Sequence, residues 1–375
     1  MFMKKLQFPI LIILSLAAGA YNPLQAQKSL HVATTAVPFL RIMPDARSGG
    51  MANAGIATGG AYSIFHNMAS TVFEANPASV SVGYTPWMTS EGADAYLGSV
   101  NGYKQLDENK ALSAGLRYFN MGTVNLSDDQ GTPMGVANPR ELGLDLGYSM
   151  RLGNKLSLGL TVRYVHSKLA SGGINGINYK AGNAFGADVS LFHNGQDTRG
   201  AGLSWGVVLS NLGSRISYSS NAGQKDFIPA NLGIGAAYTI AADDQNKIKF
   251  AADINKLLVP VLPNDSAGIA DYYNKSVTSS WFKSFNGNGG GLKSFQYSLA
   301  AEYGFDERFF LRAGYYYQAR STGGQPAFTA GAGYRYRIAD IDISYLAPSG
   351  SGLDRNPLSN TVRVSISFAL GKKRS

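Results

Sequence analysis

Through most of the chain, apolar residues recur at every second position. From Phe295 to Phe305, one parity carries Phe295, Tyr297, Leu299, Ala301, Tyr303 and Phe305, and the other Gln296, Ser298, Ala300, Glu302 and Gly304. Successive side chains of a strand point to opposite faces, so the pattern predicts a strand with one apolar side. Leu142, Leu144, Leu146, Tyr148 and Met150 alternate in the same way with Gly143, Asp145, Gly147 and Ser149, and the pattern returns at 156–164, 328–337 and 362–370. These runs have the ~9–11 residues of a tilted bilayer-crossing strand, longer than the ~5–6 of a soluble sheet. The polar parity is mostly glycine and serine, which suits a barrel interior that accepts a plug or leaves space. A soluble β-solenoid would need a fixed repeat period, and none is visible.

Strands are predicted at 79–88, 95–103, 111–120, 140–152, 155–167, 184–193, 202–212, 230–241, 247–256, 294–304, 308–318, 326–337, 340–347 and 360–370. That even number suits a single-chain bacterial barrel. The connections alternate. Long ones are expected at 121–140, 167–183, 213–229, 255–293, 319–325 and 347–360, with short turns between them. Outer-membrane barrels have short periplasmic turns and longer outer loops, so both termini are expected in the periplasm. The fold class is therefore an all-β transmembrane antiparallel β-barrel of about 14 strands. Tyr84, Trp87, Tyr164, Tyr303, Phe305, Tyr315 and Tyr317 are expected in aromatic girdles at the two interfaces.

Composition narrows the picture. Apolar residues make up 45% of the 375, which excludes a disordered chain. Beyond the first 20 residues no apolar run is long enough for a membrane-spanning helix. There is no cysteine, which excludes thiolate metal sites, a cysteine nucleophile and disulfides. The net charge of +9 is scattered, with only Lys372-Lys373-Arg374 clustered, so no nucleic-acid partner is expected. At the N-terminus, Lys4 and Lys5 precede an apolar stretch from Phe8 to Ala20, and Ala26 offers a cleavage point, with a cut after Ala20 as the alternative. Residues 1–26 read as a signal peptide, 27–78 as an N-terminal hatch inside the lumen and 79–375 as the barrel. The hatch segment does not alternate and has too few large apolar side chains for a core of its own. It reads as a plug on the periplasmic side.

The same segment carries a resemblance. The stretch Pro38-Phe39-Leu40-Arg41-Ile42-Met43-Pro44-Asp45-Ala46-Arg47-Ser48-Gly49-Gly50-Met51 resembles the PorV (LptO) family, and Ala54-Gly55-Ile56-Ala57-Thr58, Phe65-His66-Asn67, Tyr84-Thr85-Pro86-Trp87, Leu116-Arg117-Tyr118-Phe119 and Asn231-Leu232-Gly233 continue the match. More broadly, the glycine-rich stretch before a fourteen-stranded barrel is similar to the hatch of FadL-type barrels. Met68 stands where the family usually has proline. The resemblance picks out Pro44, Asp45, Ala46, Arg47, Gly49, Gly50 and Asn67 as the hatch motif. It implies a component of the type IX secretion system of Bacteroidetes that binds cargo through the cargo's C-terminal domain at a large translocon barrel. From there it would deliver cargo to the surface attachment complex. Membrane lipid and lipopolysaccharide are the other expected partners. The alternative, from FadL relatives, is a transporter of hydrophobic small molecules.

Chemistry motifs are sparse. His31, His66, His166 and His193 show no metal-ligand spacing, there is no GxSxG, and neither Gly49-Gly50 nor Gly289-Gly290-Gly291 lies in a strand–helix unit. No catalysis, cofactor or metal is expected, and no Ser/His/Asp arrangement could carry the lipopolysaccharide deacylation linked to the family. The charges assigned to the lumen are Glu141, Asp145, Arg151, Arg163, Asp253, Glu302, Arg335, Asp342 and Arg363. They could line a conduit or form the ion pairs that hold a plug. The longest connection, 255–293, carries Leu257-Leu258-Val259-Pro260-Val261-Leu262, Tyr272, Tyr273, Trp281 and Phe282. Such residues on an outer loop either meet a partner or fold back over the barrel mouth, and Tyr272, Tyr273, Trp281 and Phe282 are the candidate cargo contacts.

Overall fold

The computed structural model describes residues 33–87, 94–127, 130–170, 172–174, 177–219, 224–286, 291–347 and 360–371. The signal-peptide reading, Gly289-Gly290 and the terminal basic run lie outside the described residues. Fourteen strands close into one antiparallel barrel. They are β1 (Ala78–Trp87), β2 (Ala95–Gln105), β3 (Lys110–Asn120), β4 (Arg140–Arg151), β5 (Leu156–Lys168), β6 (Gly182–Asn194), β7 (Gly202–Gly213), β8 (Asn231–Ala241), β9 (Asn246–Leu257), β10 (Phe295–Phe305), β11 (Phe309–Gln318), β12 (Ala327–Tyr336), β13 (Ala339–Ala347) and β14 (Thr361–Leu370). Each pairs with the next in sequence, and β14 returns to β1 from Ala78↔Leu370 to Tyr84↔Val364.

The expected strands stand within about two residues of the observed ones, because lipid on one face and a filled lumen on the other enforce a strict period of two. Leu144, Leu146, Leu160 and Val162 are exposed on the outer wall, while Asp145, Ser149 and Thr161 between them are buried inside. Long and short connections alternate as expected, so the barrel has a long-loop end and a short-turn end. Two long connections contain small hairpins of their own, Val124–Ser127 with Pro133–Ala137 and Gly172–Ile174 with Ile177–Tyr179.

Aromatic rings gather near both ends of the wall. Tyr84, Tyr96 and Tyr118 form a row at the long-loop end, with centroids 5.6 and 6.3 Å apart, and Phe309 and Tyr334 pair at 5.0 Å at the short-turn end. Trp87 is a correction. It shares the inward parity of Ser81 and Thr85 and packs edge-on against Phe119 at 5.4 Å, within the apolar cluster that contains Phe39. It belongs to the lumen and not to a girdle.

Residues 33–77 lie inside the barrel, because they bond to strands all the way round the wall. Ala46 N–H donates to Ser365 Oγ of β14, Ala52 N–H to Thr329 Oγ1 of β12, and Gly55 and Ile56 N–H to Asp253 of β9. From the other side, Arg117 of β3, Arg151 of β4 and Ser157 of β5 donate to the carbonyls of Leu40, Val72 and Ala69. The segment is not confined to one end. Ala36 N–H donates to the Phe227 carbonyl in a long connection, and Val37, Phe39 and Leu40 pack with Phe119, Val165 and Ile216 near the long-loop end. Glu74 meets Gln105 at the short-turn end, just before β1 begins. β14 therefore ends at the short-turn end, whereas residues 33–42 lie near the long-loop end and the plug runs from there through the lumen to β1.

Leu146 lies mid-strand, 63% exposed on the outer wall. Leu146→Arg should cost about 2–4 kcal/mol of barrel stability in a refolding titration in lipid vesicles. Leu146→Phe should be nearly neutral, and equal effects of the two would place this parity away from lipid.

Candidate functional site

The plug is built from a few capped turns. In the motif at residues 44–50, Asp45 is the N-cap of a short helix, α1 (Ala46–Gly50), and its carboxylate accepts from Ser48 N–H at 2.7 Å and Ser48 Oγ at 2.6 Å. The same carboxylate meets His66 Nε2 at 2.7 Å, at the end of α2 (Ser63–His66), and so ties two turns together. Pro44 and Ala46 are buried beside it. Arg47 reaches the wall with two bonds to Glu302, at 3.1 and 3.2 Å, and a third to the Gly59 carbonyl. Gly49 and Gly50 let α1 lie directly on the wall: a methyl on Gly50 would stand 2.9 Å from the Gly331 Cα of β12.

Asn67 works without the expected proline. Its Oδ1 accepts from Ala69 N–H and caps the 3-10 helix Met68–Phe73, while its Nδ2 donates to the Ile56 and Leu191 carbonyls at 3.0 Å each. One side chain thus joins two parts of the plug to β6. Met68 stands at the first helical position, where the backbone N–H has no intrahelical partner and proline is only optional. Its thioether fills the space over Gly147.

Most of the lumen charges hold the plug or pair across the wall. Glu302 is held by Arg47 and by Arg312, at 2.6 Å, and Arg312 also pairs with Asp342 at 2.6 Å. Asp145 takes Arg163 at 2.5 Å and Arg117 at 3.5 Å, and Arg163 continues to Asp188 at 3.0 Å and to Asn211. Asp253 accepts two plug N–H groups, and Arg363 donates to Asn53 of the plug. Arg335 pairs with Asp340 at the short-turn end, and Glu141 accepts from Ser167. Arg117, Asp188 and Arg312 were absent from the expected set, although strand parity alone puts each of them inward. His166 bonds Asn183 and His193 stacks on Trp205, so no histidine cluster forms among the described residues.

The plug divides what space remains. A cavity of about 690 Å³ opens below it toward the short turns, lined by Glu74, Lys249, Glu307 and Arg335 among others, and one of about 300 Å³ lies above it. The long connection from β9 to β10 forms helices α3 (Ser266–Asn274) and α4 (Val277–Lys283). Arg215 clamps it by donating to the carbonyls of Tyr272, Tyr273 and Lys275 and by lying over the Phe227 ring. Here the four aromatic candidates separate. Tyr272 is 4% exposed, edge-on to Phe227 in a cluster with Val259, and burial pushes its phenol up to about 12. Tyr273 packs against that cluster, and Trp281 is half-buried. Both tyrosines therefore take part in the small core of this connection, Tyr272 within it and Tyr273 at its edge. Phe282 is 76% exposed, and Phe285 and Leu292 in the same connection are also exposed.

Comparison with solved structures gives the fold. The Ralstonia pickettii toluene transporter TbuX is 12% identical over 86% of this chain and 97% of its own, with a TM-score of 0.51. The CymD monoaromatic hydrocarbon channel is 13% identical over 88% and 98%, with a TM-score of 0.54. The Pseudomonas putida toluene transporter TodX is 14% identical over 91% and 98%, with a TM-score of 0.50. A comparison with curated proteins found no significant match.

Asn67→Ala removes a cap and two carbonyl bonds, together about 3 kcal/mol. Amides of the plug near Ile56 and Ala69 should exchange roughly a hundredfold faster with solvent deuterium, while the strand amides of β2 and β3 keep their protection. Unchanged plug exchange would mean that Asn67 does not hold it.

The family model described as type IX secretion system protein PorV matches residues 25–264, more than half of the chain, and on that match the chain belongs to the PorV family.

Proposed function

We propose that this protein is a cargo carrier of type IX secretion. It receives exported proteins by their C-terminal domain at the large translocon barrel and passes them to the surface attachment complex. The long-loop end faces outward and the short turns face the periplasm. The observation that carries this reading is the division of labour along the barrel axis. The plug is bonded to the wall from β3 round to β14, so the lumen has the character of a filled support. The longest connection meanwhile folds on its own small core and leaves Phe282, Phe285 and Leu292 in the open. Exposed apolar side chains on a structured loop favour a protein partner.

Transport of hydrophobic solutes is the alternative, suggested by the fold shared with the toluene transporters TbuX and TodX and the monoaromatic hydrocarbon channel CymD. It would need an apolar path. Charged and amide side chains line both cavities here, among them Arg47, Glu302 and Arg312 below the plug and Arg117, Arg163 and Gln296 above it. That lining supports the carrier reading, in which the barrel itself does no chemistry. Lipid and lipopolysaccharide contact the outer wall.

Two measurements test the proposal. Lys283→Cys in intact cells should react with a membrane-impermeant thiol reagent, and Asn154→Cys and Asp244→Cys in short turns should not; the opposite pattern would invert the orientation. Replacing Phe282, Phe285 and Leu292 together by serine should leave the barrel folded and lower pull-down of cargo bearing the secretion C-terminal domain by about tenfold or more. Full cargo capture, at matched surface levels, would remove this loop from the interface. Lost uptake of toluene with full cargo capture would favour the transporter.

A further inference from the structure

The 300 Å³ chamber between the plug and the long-loop end carries more positive charge than its carboxylates balance. Four arginines line it, Arg41 of the plug and Arg117, Arg163 and Arg363 of the wall. Arg117 and Arg163 share Asp145, and Arg163 also holds Asp188, so these two cations meet two carboxylates. Arg41 and Arg363 are left over. The Arg41 side chain makes no hydrogen bond or ion pair among the described residues, and the phenol of Tyr316, which lines the same chamber, brings no counter-charge. Arg363 is 3% exposed; one of its terminal nitrogens donates to Asn53 Oδ1 at 2.9 Å, and its Nε has no partner. The carboxylate whose charge reaches Arg363 is Asp45, but both oxygens of Asp45 are already engaged by Ser48 and His66.

A guanidinium taken from water needs a counter-charge, and its planar fork of donors matches the two oxygens of a carboxylate. The amides of Gln296 and Gln318 line the same chamber beside the phenol of Tyr316 and add neutral polar groups. No carboxylate of the chain is free to enter among the described residues that line it: Asp188 is committed to Arg163 and to Asn211 N–H.

We propose that this chamber is a binding site for one carboxylate group, held by Arg41 from the plug side and Arg363 from the wall side. The inference rests on the charge balance of the chamber and stands whether or not the carrier reading does. A small free acid and the terminal carboxylate of a polypeptide present the same chemistry.

Calorimetric titration of the folded, detergent-solubilised mature protein at low chloride tests the site with four probes: butyrate, butyramide, trialanine and trialanine amide. At least one acid should bind with one site per barrel, and its neutral amide should not. Arg41→Gln should weaken that binding by about tenfold, as should Arg363→Gln. Arg41 holds no partner among the described residues, so its substitution decides the matter if loss of the Arg363 bond to Asn53 loosens the plug. Tighter binding of trialanine would identify a chain end as the source of the carboxylate, and tighter binding of butyrate a small acid; either supports the site. Absence of binding by both acids at about 10 mM, equal binding of acids and amides, or binding indifferent to Arg41→Gln would overturn it.

Discussion

A strand crossing a bilayer must pair every backbone N–H and C=O with another strand, because hydrocarbon offers no partner. Closure into a barrel satisfies that demand, and the remaining architecture follows from it. Fourteen strands enclose a lumen wider than their own inward side chains fill, since barrel diameter grows with strand number. The inward parity is mostly glycine, serine and threonine, which widens it further. The N-terminal segment occupies that space, and the small wall residues are its seats: Gly83 lies under the Pro44 carbonyl, Gly331 under Gly50 and Gly159 under the backbone of Ala69.

A plug without a large apolar core has to be held by polar contacts. The wall supplies them from buried residues whose charges would be costly alone. Glu302 illustrates the coupling. Arg312 and Arg47 both bind it, one from a neighbouring strand and one from the plug, so seating the plug completes a network that the wall only begins. Asp253 acts in the same sense with two plug N–H groups. The apolar contacts are concentrated at the long-loop end, where Val37, Phe39 and Leu40 meet Phe119 and Val165. The plug is thus anchored by ion pairs and hydrogen bonds along its length and by a hydrophobic cluster at one end.

This division explains what could be read from the sequence. The strands were legible because lipid imposes one rule on every second residue over a long run. The lumen side was legible in kind and less so in detail: Arg117 and Arg312 sit on the correct parity, yet they look like ordinary polar-face residues until their partners from distant strands are known. Trp87 shows the reverse error, in which an aromatic near a strand end suggests an interface although its parity points inward. The path of residues 33–42 to the long-loop end was hidden because no local pattern records where a segment sits along a barrel axis. Asn67 kept its role despite the unexpected Met68, because the cap depends on the amide and not on the ring that usually follows it.

The longest connection was the least legible part. Its two helices are nine and seven residues long, too short for periodicity to separate a buried face from an exposed one. Composition alone made its aromatics equivalent, whereas the fold sorts them. Arg215, contributed by a different connection, caps the last carbonyls of α3 and lies on Phe227, and this fixes Tyr272 inward. Loop rigidity therefore comes from contacts between connections. A rim ordered in this way can present Phe282 and its neighbours without first folding around a partner, which reduces the entropy lost on association. The same barrel that must be closed for the membrane thereby supports a preformed surface at its long-loop end.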